Sequence, residues 1–143
     1  KIEGAADSTT NVLNVIANNN LTGSGLDVGK LIANDVETIN LTATDLTPTN
    51  SSGTATIETI SLALSADKAT SVNLGTSNSN LTLGVSASTK LATVDGNAMT
   101  GNLTVDLTAH NGVAMTVKGG AGADVVDGPV QRGGRRGTAA GAL

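Results

Sequence analysis

The chain is 143 residues long, carries a formal net charge of −4 and contains no cysteine, phenylalanine, tyrosine or tryptophan. This length fits one domain, the lack of cysteine excludes disulfides and thiolate metal sites, and an acidic chain is a poor match for nucleic acid. Compact globules rely on aromatic side chains for much of their buried area. A chain without them favours a thin repetitive fold whose core is built from Val, Leu, Ile, Ala and Thr.

The N-terminal residues 1–33 follow a less regular pattern than the rest of the chain. Residues 12–17 (VLNVIA) predict a strand, whereas residues 26–33 (LDVGKLIA) fit either a strand or a single helical turn. The chain starts at Lys1 without a methionine or an apolar leader, so we expect a fragment or a mature product. No apolar run approaches the length that a membrane crossing needs, and we expect no membrane insertion.

Residues 34–118 contain a Thr- and Asn-rich repeat. Residues 80–87 (NLTLGVSA) recur as residues 102–109 (NLTVDLTA), 22 positions later, and residues 69–74 (ATSVNL) recur as residues 91–96 with the same offset. The two series interleave about eleven residues apart. This spacing is what two strands per coil would produce.

Each repeat alternates apolar and polar residues, as a strand with one buried face does. In residues 102–109 the inward set is Leu103, Val105 and Leu107. A further pair, residues 36–43 (VETINLTA) and 57–64 (IETISLAL), follows the same outline.

Between that last pair, residues 46–56 read as a loop inserted into one coil, which solenoids tolerate on an outer face. The spacing of the repeats predicts an all-β chain that forms a parallel β-helix or β-roll solenoid of about 22 residues per coil. A sandwich with hairpin turns stays open as an alternative, because Asn111-Gly112 is also a hairpin signal.

Residues 119–128 stand apart from the repeats. The segment 119–127 (GGAGADVVD) fits the calcium-binding nonapeptide G-G-x-G-x-D-x-U-x. Glycines let the backbone turn tightly enough to aim carbonyls at one point, and an aspartate supplies a hard anionic oxygen. The pattern predicts a calcium-binding turn.

With these repeats and the nonapeptide, the chain resembles the RTX (repeats-in-toxin) proteins that bacteria export by type I secretion, and among them it is most similar to the S-layer proteins. Residues 35–42 (DVETINLT) and 101–106 (GNLTVD) fit the Thr-rich β-helical stretches of such proteins, and the resemblance covers roughly residues 34–128. It implies calcium as cofactor. The metal residues it implies are Gly119, Gly120, Gly122, Asp124 and Asp127.

In that family the carbonyls and the aspartate hold calcium between successive turns. Here they correspond to the carbonyls of Gly120 and Gly122 and the carboxylate of Asp124, with Gly119 shaping the turn. Only one nonapeptide is complete in this chain, whereas the family shares each ion between neighbouring turns. Such a lone half-site is expected to bind calcium weakly, since ligand number and charge set the affinity.

The function that the resemblance implies is structural: a secreted surface-layer fragment on the bacterial cell surface that folds and assembles with calcium. Its expected partners are copies of itself, in a lattice or an end-to-end oligomer, and a cell-surface polysaccharide. The alternative is a repeat, spacer or calcium-folded export segment of an RTX adhesin or secreted enzyme.

Catalysis is not expected. The serines lack a G-x-S-x-G context, His110 is the only histidine, and residues 1–128 contain no arginine and no aromatic residue for a sugar-binding groove. We predict that the chain is not an enzyme.

Asp95 and Asp106 are rival candidates for extra calcium ligands. We favour the interpretation that Asp95 is a turn residue and that Asp106 lies on a solvated strand face.

The last segment, residues 129–143, differs in composition. It contains the three arginines and no acid, for a charge of +3, whereas residues 1–128 hold five Lys and twelve Asp and Glu, for a charge of 5 − 12 = −7. A basic anchor for an anionic surface is one interpretation. The interpretation that we favour is a non-native tail, to be left out of the fold.

Overall fold

A computed structural model describes residues 2–3, 10–49 and 52–128. Within these ranges the chain forms strands and turns only. None of the described residues belongs to a helix of the length and apolar character that a membrane crossing needs. The strands are β1 (Ile2–Glu3), β2 (Val12–Asn19), β3 (Leu26–Asn34), β4 (Thr38–Asp45), β5 (Thr59–Ser65), β6 (Ser71–Leu74), β7 (Asn80–Ser86), β8 (Thr93–Asp95), β9 (Leu103–Asp106), β10 (Thr116–Lys118) and β11 (Val125–Asp127).

The strands build two parallel sheets that run the length of the molecule. The odd-numbered strands form a six-stranded sheet in the order β1-β3-β5-β7-β9-β11, and the even-numbered ones form a five-stranded sheet in the order β2-β4-β6-β8-β10. Each coil from β2 to β11 therefore gives one strand to each sheet, for five coils. The predicted all-β parallel solenoid is confirmed, and the parallel pairing excludes the hairpin sandwich.

The core consists of aliphatic rows, one residue per coil, between the two sheets. In the five-stranded sheet one row is Leu13, Ile39, Val72, Val94 and Val117. In the six-stranded sheet one row is Leu26, Ile60, Leu81 and Leu103. The equivalent position of the fifth coil holds Asp124, the residue just before the first paired residue of β11. The inward-facing apolar side chains of strands β4 to β9 are at most 4% exposed. Burying an aliphatic side chain of this kind stabilises a fold by roughly 1.5–3 kcal/mol, so the rows explain how the chain holds a core without aromatic residues.

The 22-residue repeats stack as the sequence predicts. Residues 69–74 lie beneath residues 91–96, with Val72 paired to Val94, and Leu81 pairs with Leu103. Because equivalent residues coincide in register, each repeat buries its apolar face on that of its neighbours.

The similarity between residues 36–43 and 57–64 has a different basis. These segments do not stack on one another, because β4 and β5 lie in opposite sheets and β5 pairs with β7. Their offset of 21 residues combines half a coil with the connection that follows β4. The sequence predicts the inserted loop correctly, and the structure shows an isolated antiparallel bridge between Thr49 and Ala55 within it.

Strand β3 resolves the N-terminal ambiguity in favour of a strand. Its register with β5 jumps from Asp27↔Ser61 to Gly29↔Leu62, so Val28 is the extra residue of a β-bulge. Gly29 has a φ of 76°, a backbone conformation that glycine adopts without a steric penalty. The bulge also explains why the alternation in residues 26–33 is irregular in the sequence.

The outward face of the five-stranded sheet carries a ladder of amide side chains. Asn40 Nδ2 donates to Asn14 Oδ1 at 2.8 Å, and Asn73 Nδ2 donates to Asn40 Oδ1 at 3.0 Å. The next positions in this row are Asp95 and Lys118, whose side chains form an ion pair at 2.9 Å. The ladder thus changes from amides to charges towards the C-terminal end.

Candidate functional site

The predicted calcium turn lies at a corner of the solenoid, where the chain passes from β10 to β11 in the fifth coil. The equivalent corner of the fourth coil lies between β8 and β9, directly beneath it. The corner of the second coil contains the loop between β4 and β5. The nonapeptide is therefore one member of a stack of corners along the same edge.

Asp124 occupies an inward position of this corner. The pairing of Val125 with Thr104 places Asp124 one residue earlier, in the row that Leu103 fills one coil before. Asp124 Oδ1 accepts a hydrogen bond from the backbone N–H of Leu103 at 2.9 Å. The other carboxylate oxygen, Oδ2, lies against Gly119, where any Cβ would collide with it. Gly119 is therefore required for the aspartate to sit there.

Gly120 and Gly122 are needed for a related reason, because both press on the backbone of the coil beneath. A Cβ on Gly122 would lie 2.5 Å from the carbonyl oxygen of Gly101, and one on Gly120 would collide with the carbonyl of Met99. The neighbouring Ala121 N–H donates to that Met99 carbonyl at 2.9 Å. Close stacking of two turns thus accounts for these glycines without reference to a metal.

Asp127 lies apart from the other four predicted metal residues. It pairs with Asp106 in the register between β11 and β9, in a row that faces outwards. Since side chains alternate along a strand, Asp127 and the inward Asp124 point to opposite faces. The structure brings Gly119, Gly120, Gly122 and Asp124 into one turn and leaves Asp127 at the far end of β11.

This turn offers calcium one carboxylate. Among the described residues, no group of three or more His, Asp or Glu side chains is placed to hold a metal ion. One oxygen of Asp124 already serves the N–H of Leu103, so Oδ2 and nearby carbonyls would supply any coordination. The donor set is that of a half-site, and calcium binding at this turn stays a prediction.

The rival carboxylates are engaged locally. Lys118 Nζ and the backbone N–H of Asn97 both bond to Asp95 and lower the pKa of its carboxyl group. The side-chain hydroxyl and then the backbone N–H of Thr108 do the same for the pKa of Asp106. These contacts match the interpretation of Asp95 and Asp106 as turn and strand-face residues.

His110 is 7% exposed and holds a turn together. Its Nε2 lies 3.1 Å from the carbonyl oxygen of Val113, while its Nδ1 is buried without a hydrogen-bond partner. It is the only histidine of the chain, so no second imidazole accompanies it.

Two carboxylates that sequence reasoning missed are the most buried acids of the described chain. Asp45 is 2% exposed and Glu58 is 8% exposed. They flank the inserted loop, and the backbone N–H of Glu58 donates to Asp45 Oδ2 at 3.1 Å. The sequence does contain a signal for this pair, because the two acids bracket the predicted insertion. The similarity of residues 36–43 and 57–64 obscured that signal.

Comparison of the chain with protein-family models, with curated proteins and with solved structures returned no match.

Proposed function

We propose that the chain is a structural element of a bacterial surface layer, secreted and assembled end to end with copies of itself. The observation that carries the proposal is the complementary chemistry of the two ends of the solenoid. The geometry that supports it is a fold made of stacked parallel coils, which can be extended by adding another coil at either end.

The edges of the two sheets are the contact surfaces of this proposal. The outermost strands of the two sheets are β1 and β2 at the N-terminal end and β11 and β10 at the C-terminal end, and β1 covers β3 only at Ala33 and Asn34. No strand within the described ranges pairs with their outer edges. Unpaired parallel edges carry free N–H and C=O groups and pair readily with a strand of another molecule.

Charge complementarity favours a second copy as the occupant. One outward row of the six-stranded sheet runs Lys30, Ala63, Gly84, Asp106 and Asp127. It begins at the N-terminal end with a cation and ends at the C-terminal end with two carboxylates. When the first coil of one copy continues the last coil of another in register, Lys30 lies next to Asp127 and relieves the repulsion between neighbouring carboxylates.

Apolar residues at the two ends point to the same occupant. Val126 belongs to an inward row but is 50% exposed, because no described coil covers it. At the other end Leu13 and Leu26 pack against the core and are only partly buried. In the register that places Lys30 next to Asp127, Leu13 of one copy would stack on Val117 of the next, which is the hydrophobic contribution to association. The six-stranded sheet adds less apolar contact, because Leu26 would lie against Asp124 and Val126 against Gly29.

Calcium enters the proposal through charge. Residues 1–128 carry a net charge of −7, and copies stacked end to end accumulate that charge along one axis. Divalent cations at acidic corners would reduce the repulsion, and the bacterial exterior supplies them. A cation that binds only the folded state also stabilises it by mass action.

The test is sedimentation equilibrium of the full chain over a range of concentrations, with calcium and with chelator. We expect reversible growth into linear oligomers, stronger with calcium. Lys30→Asp and Asp127→Lys should each weaken association about tenfold, whereas the double variant should restore it. A tenfold effect corresponds to about 1.4 kcal/mol, within reach of a paired interfacial charge.

Lys90→Asp is the matched control, because Lys90 lies in the connection between β7 and β8, away from both ends, and is exposed. It should associate like the unmodified chain. A chain that stays monomeric at every concentration, or association that ignores the Lys30 and Asp127 variants, would overturn the proposal of end-to-end assembly.

The alternative function is a spacer or export segment of an RTX adhesin or secreted enzyme. The half-exposed inward row at Val126 supports it as well, since further coils of one longer solenoid would cover that row equally. A spacer stays monomeric with calcium, so the same sedimentation experiment separates the two functions.

A further inference from the structure

The corner between β4 and β5 contains an unpartnered buried carboxylate. Glu58 is 8% exposed, and its Oε2 atom has no hydrogen-bond partner and no contact with solvent. The other oxygen, Oε1, accepts a hydrogen bond from the backbone N–H of Gly23. The side chain is thereby fixed against the turn between β2 and β3, with one anionic oxygen left unsatisfied.

A second carboxylate borders the same turn. Asp45 Oδ1 accepts from the backbone N–H of Thr47 at 2.8 Å, and its Oδ2 accepts from that of Glu58 at 3.1 Å. Thr47 Oγ1 also lies 3.1 Å from the carbonyl oxygen of Leu21, two residues before Gly23. Both carboxylates therefore contact groups that belong to or touch residues 21–23.

Neutral oxygen atoms are present in the loop between the two acids and in the turn that Glu58 contacts. Thr56 Oγ1 is buried without a hydrogen-bond partner and is two residues from Glu58 in sequence. The Asn19 side chain spans the turn, with Nδ2 donating to the carbonyl of Ser24 at 2.7 Å and Oδ1 accepting from the N–H of Leu21 at 3.0 Å. Carboxylate, hydroxyl and carbonyl oxygens are the ligands that hard divalent cations take in proteins.

No basic side chain neutralises this corner among the residues that the structure describes. The ion pairs among the described residues are Lys68–Asp35 and Lys118–Asp95, and neither includes Asp45 or Glu58. A buried carboxylate without a cation is costly, and an unpaired anionic oxygen adds to the cost. Backbone N–H groups offset part of it and leave Glu58 Oε2 without compensation.

We propose that Asp45 and Glu58 form a divalent-cation site at the inserted loop, with calcium as its ion. Glu58 Oε2 is the anchoring ligand, and Asp45, Thr56 Oγ1 and carbonyls of the turn complete the oxygen shell together with water. Calcium fits better than magnesium because it accepts 6–8 oxygens in flexible geometry, whereas magnesium demands near-ideal octahedra and keeps its waters. This site lies three coils before the nonapeptide and does not depend on end-to-end association.

The inserted loop gives the site a structural consequence. The described parts of the connection between β4 and β5, residues 46–49 and 52–58, leave the coil after Asp45 and return to it at Glu58. A cation bound to both would close the loop at its base and join it to the turn between β2 and β3. Calcium would thus fasten the first coil to the second at this corner.

The test is isothermal titration calorimetry of the full chain with calcium chloride, and with magnesium chloride in a parallel titration. We expect calcium binding with at least tenfold preference over magnesium. Glu58→Gln keeps the shape and an acceptor for Gly23 but removes the anionic charge, and it should weaken this binding at least tenfold. Asp45→Asn should weaken it in the same direction.

Thermal unfolding in chelator and in calcium gives a second measurement. A purely structural role of Glu58 would not make the unfolding temperature depend on calcium. Glu58→Gln should unfold at the same or a higher temperature than the unmodified chain in chelator, because it removes an uncompensated buried charge, and should lose the calcium-induced increase. Asp67→Asn, at an exposed carboxylate whose Oδ1 accepts from the Asp35 N–H, is the matched control and should keep both the heat and the shift.

Two outcomes would overturn the site. One is an unmodified chain that gives no calcium heat and no calcium-induced shift. The other is a Glu58→Gln variant that binds calcium as the unmodified chain does. Loss of the heat in Asp124→Asn together with its retention in Glu58→Gln would assign the calcium to the nonapeptide instead.

Discussion

Asn80 and Asn102 join successive coils through the same contact, a side-chain oxygen that accepts from the backbone one coil further on. Asn80 Oδ1 accepts from the N–H of Asn102 at 2.9 Å, and Asn102 Oδ1 accepts from the N–H of Ala123 at 2.8 Å. The second bond holds the nonapeptide turn on the regular coils. The asparagine that opens each Asn-Leu-Thr triplet at residues 80–82 and 102–104 thus joins one coil to the next.

Two substitutions of Asn102 distinguish the contribution of its acceptor oxygen from that of the rest of the side chain. Asn102→Ala removes the partner of the Ala123 N–H and should lower the free energy of unfolding by about 1 kcal/mol. Asn102→Asp keeps the acceptor and should cost less than half as much. Urea denaturation followed by circular dichroism measures both, since the chain has no aromatic residue for fluorescence. Equal losses in the two variants would contradict a role for the acceptor.

The corner glycines should be far more sensitive to substitution than a glycine within a strand. A Cβ on Gly101 would lie 2.5 Å from the carbonyl carbon of Ser79 and 3.0 Å from the nitrogen of Asn80. Gly101→Ala should cost about 2 kcal/mol, as overpacking a tight site does. Gly84→Ala is the control, because its nearest atom, Ala63 Cα, is 4.0 Å away, and it should change the free energy by less than about 0.5 kcal/mol. Denaturation midpoints that shift equally would contradict close stacking as the reason for the corner glycines.

The ion pair between Asp95 and Lys118 should contribute to acid sensitivity. The pKa of Asp95 is lowered in the folded state, first by the bond from Lys118 and then by the N–H of Asn97. A lowered pKa gives stability that is fully present above the unfolded value of about 3.9 and is lost as the pH falls through the folded value. Asp95→Asn should therefore flatten the decline of stability below about pH 4.

At neutral pH the same variant should lie within about 0.5 kcal/mol of the unmodified chain, because an exposed ion pair is worth little. Asparagine also continues the ladder in which Asn73 is the preceding member. Urea titrations at several pH values test both statements. A variant that keeps the full acid-dependent decline would show that other carboxyl groups account for it.

The solenoid was predictable because its signal is periodic. Alternation fixes which residues face inwards, and the offset of 22 residues fixes the stacking of Val72 on Val94 and Leu81 on Leu103. The similarity of residues 36–43 and 57–64 misled for a physical reason. The inserted loop lengthens half a coil to nearly the length of a whole one, so Ile39 and Ile60 are spaced like stacked neighbours although they lie in opposite sheets.

The site was less predictable than the fold. The nonapeptide pattern groups the glycines with Asp124, and the structure places them in one turn, yet close coil packing alone requires the same glycines. The corner of Asp45 and Glu58 depends on an N–H of Gly23, which is 35 positions from Glu58 in sequence. No local pattern encodes such a contact, because it arises only once the coils are stacked.

Two variants separate the predicted calcium role of Asp124 from its structural role. Asp124→Ala removes the acceptor of the Leu103 N–H and should cost about 1 kcal/mol even in chelator. Asp124→Asn keeps an oxygen acceptor, so in chelator it should stay closer to the unmodified chain. If the nonapeptide binds calcium, the gap between the Asn variant and the unmodified chain should widen on adding calcium, since the variant loses an anionic ligand. Urea denaturation in chelator and in calcium measures the gap, and a gap that does not change would assign Asp124 to coil stacking alone.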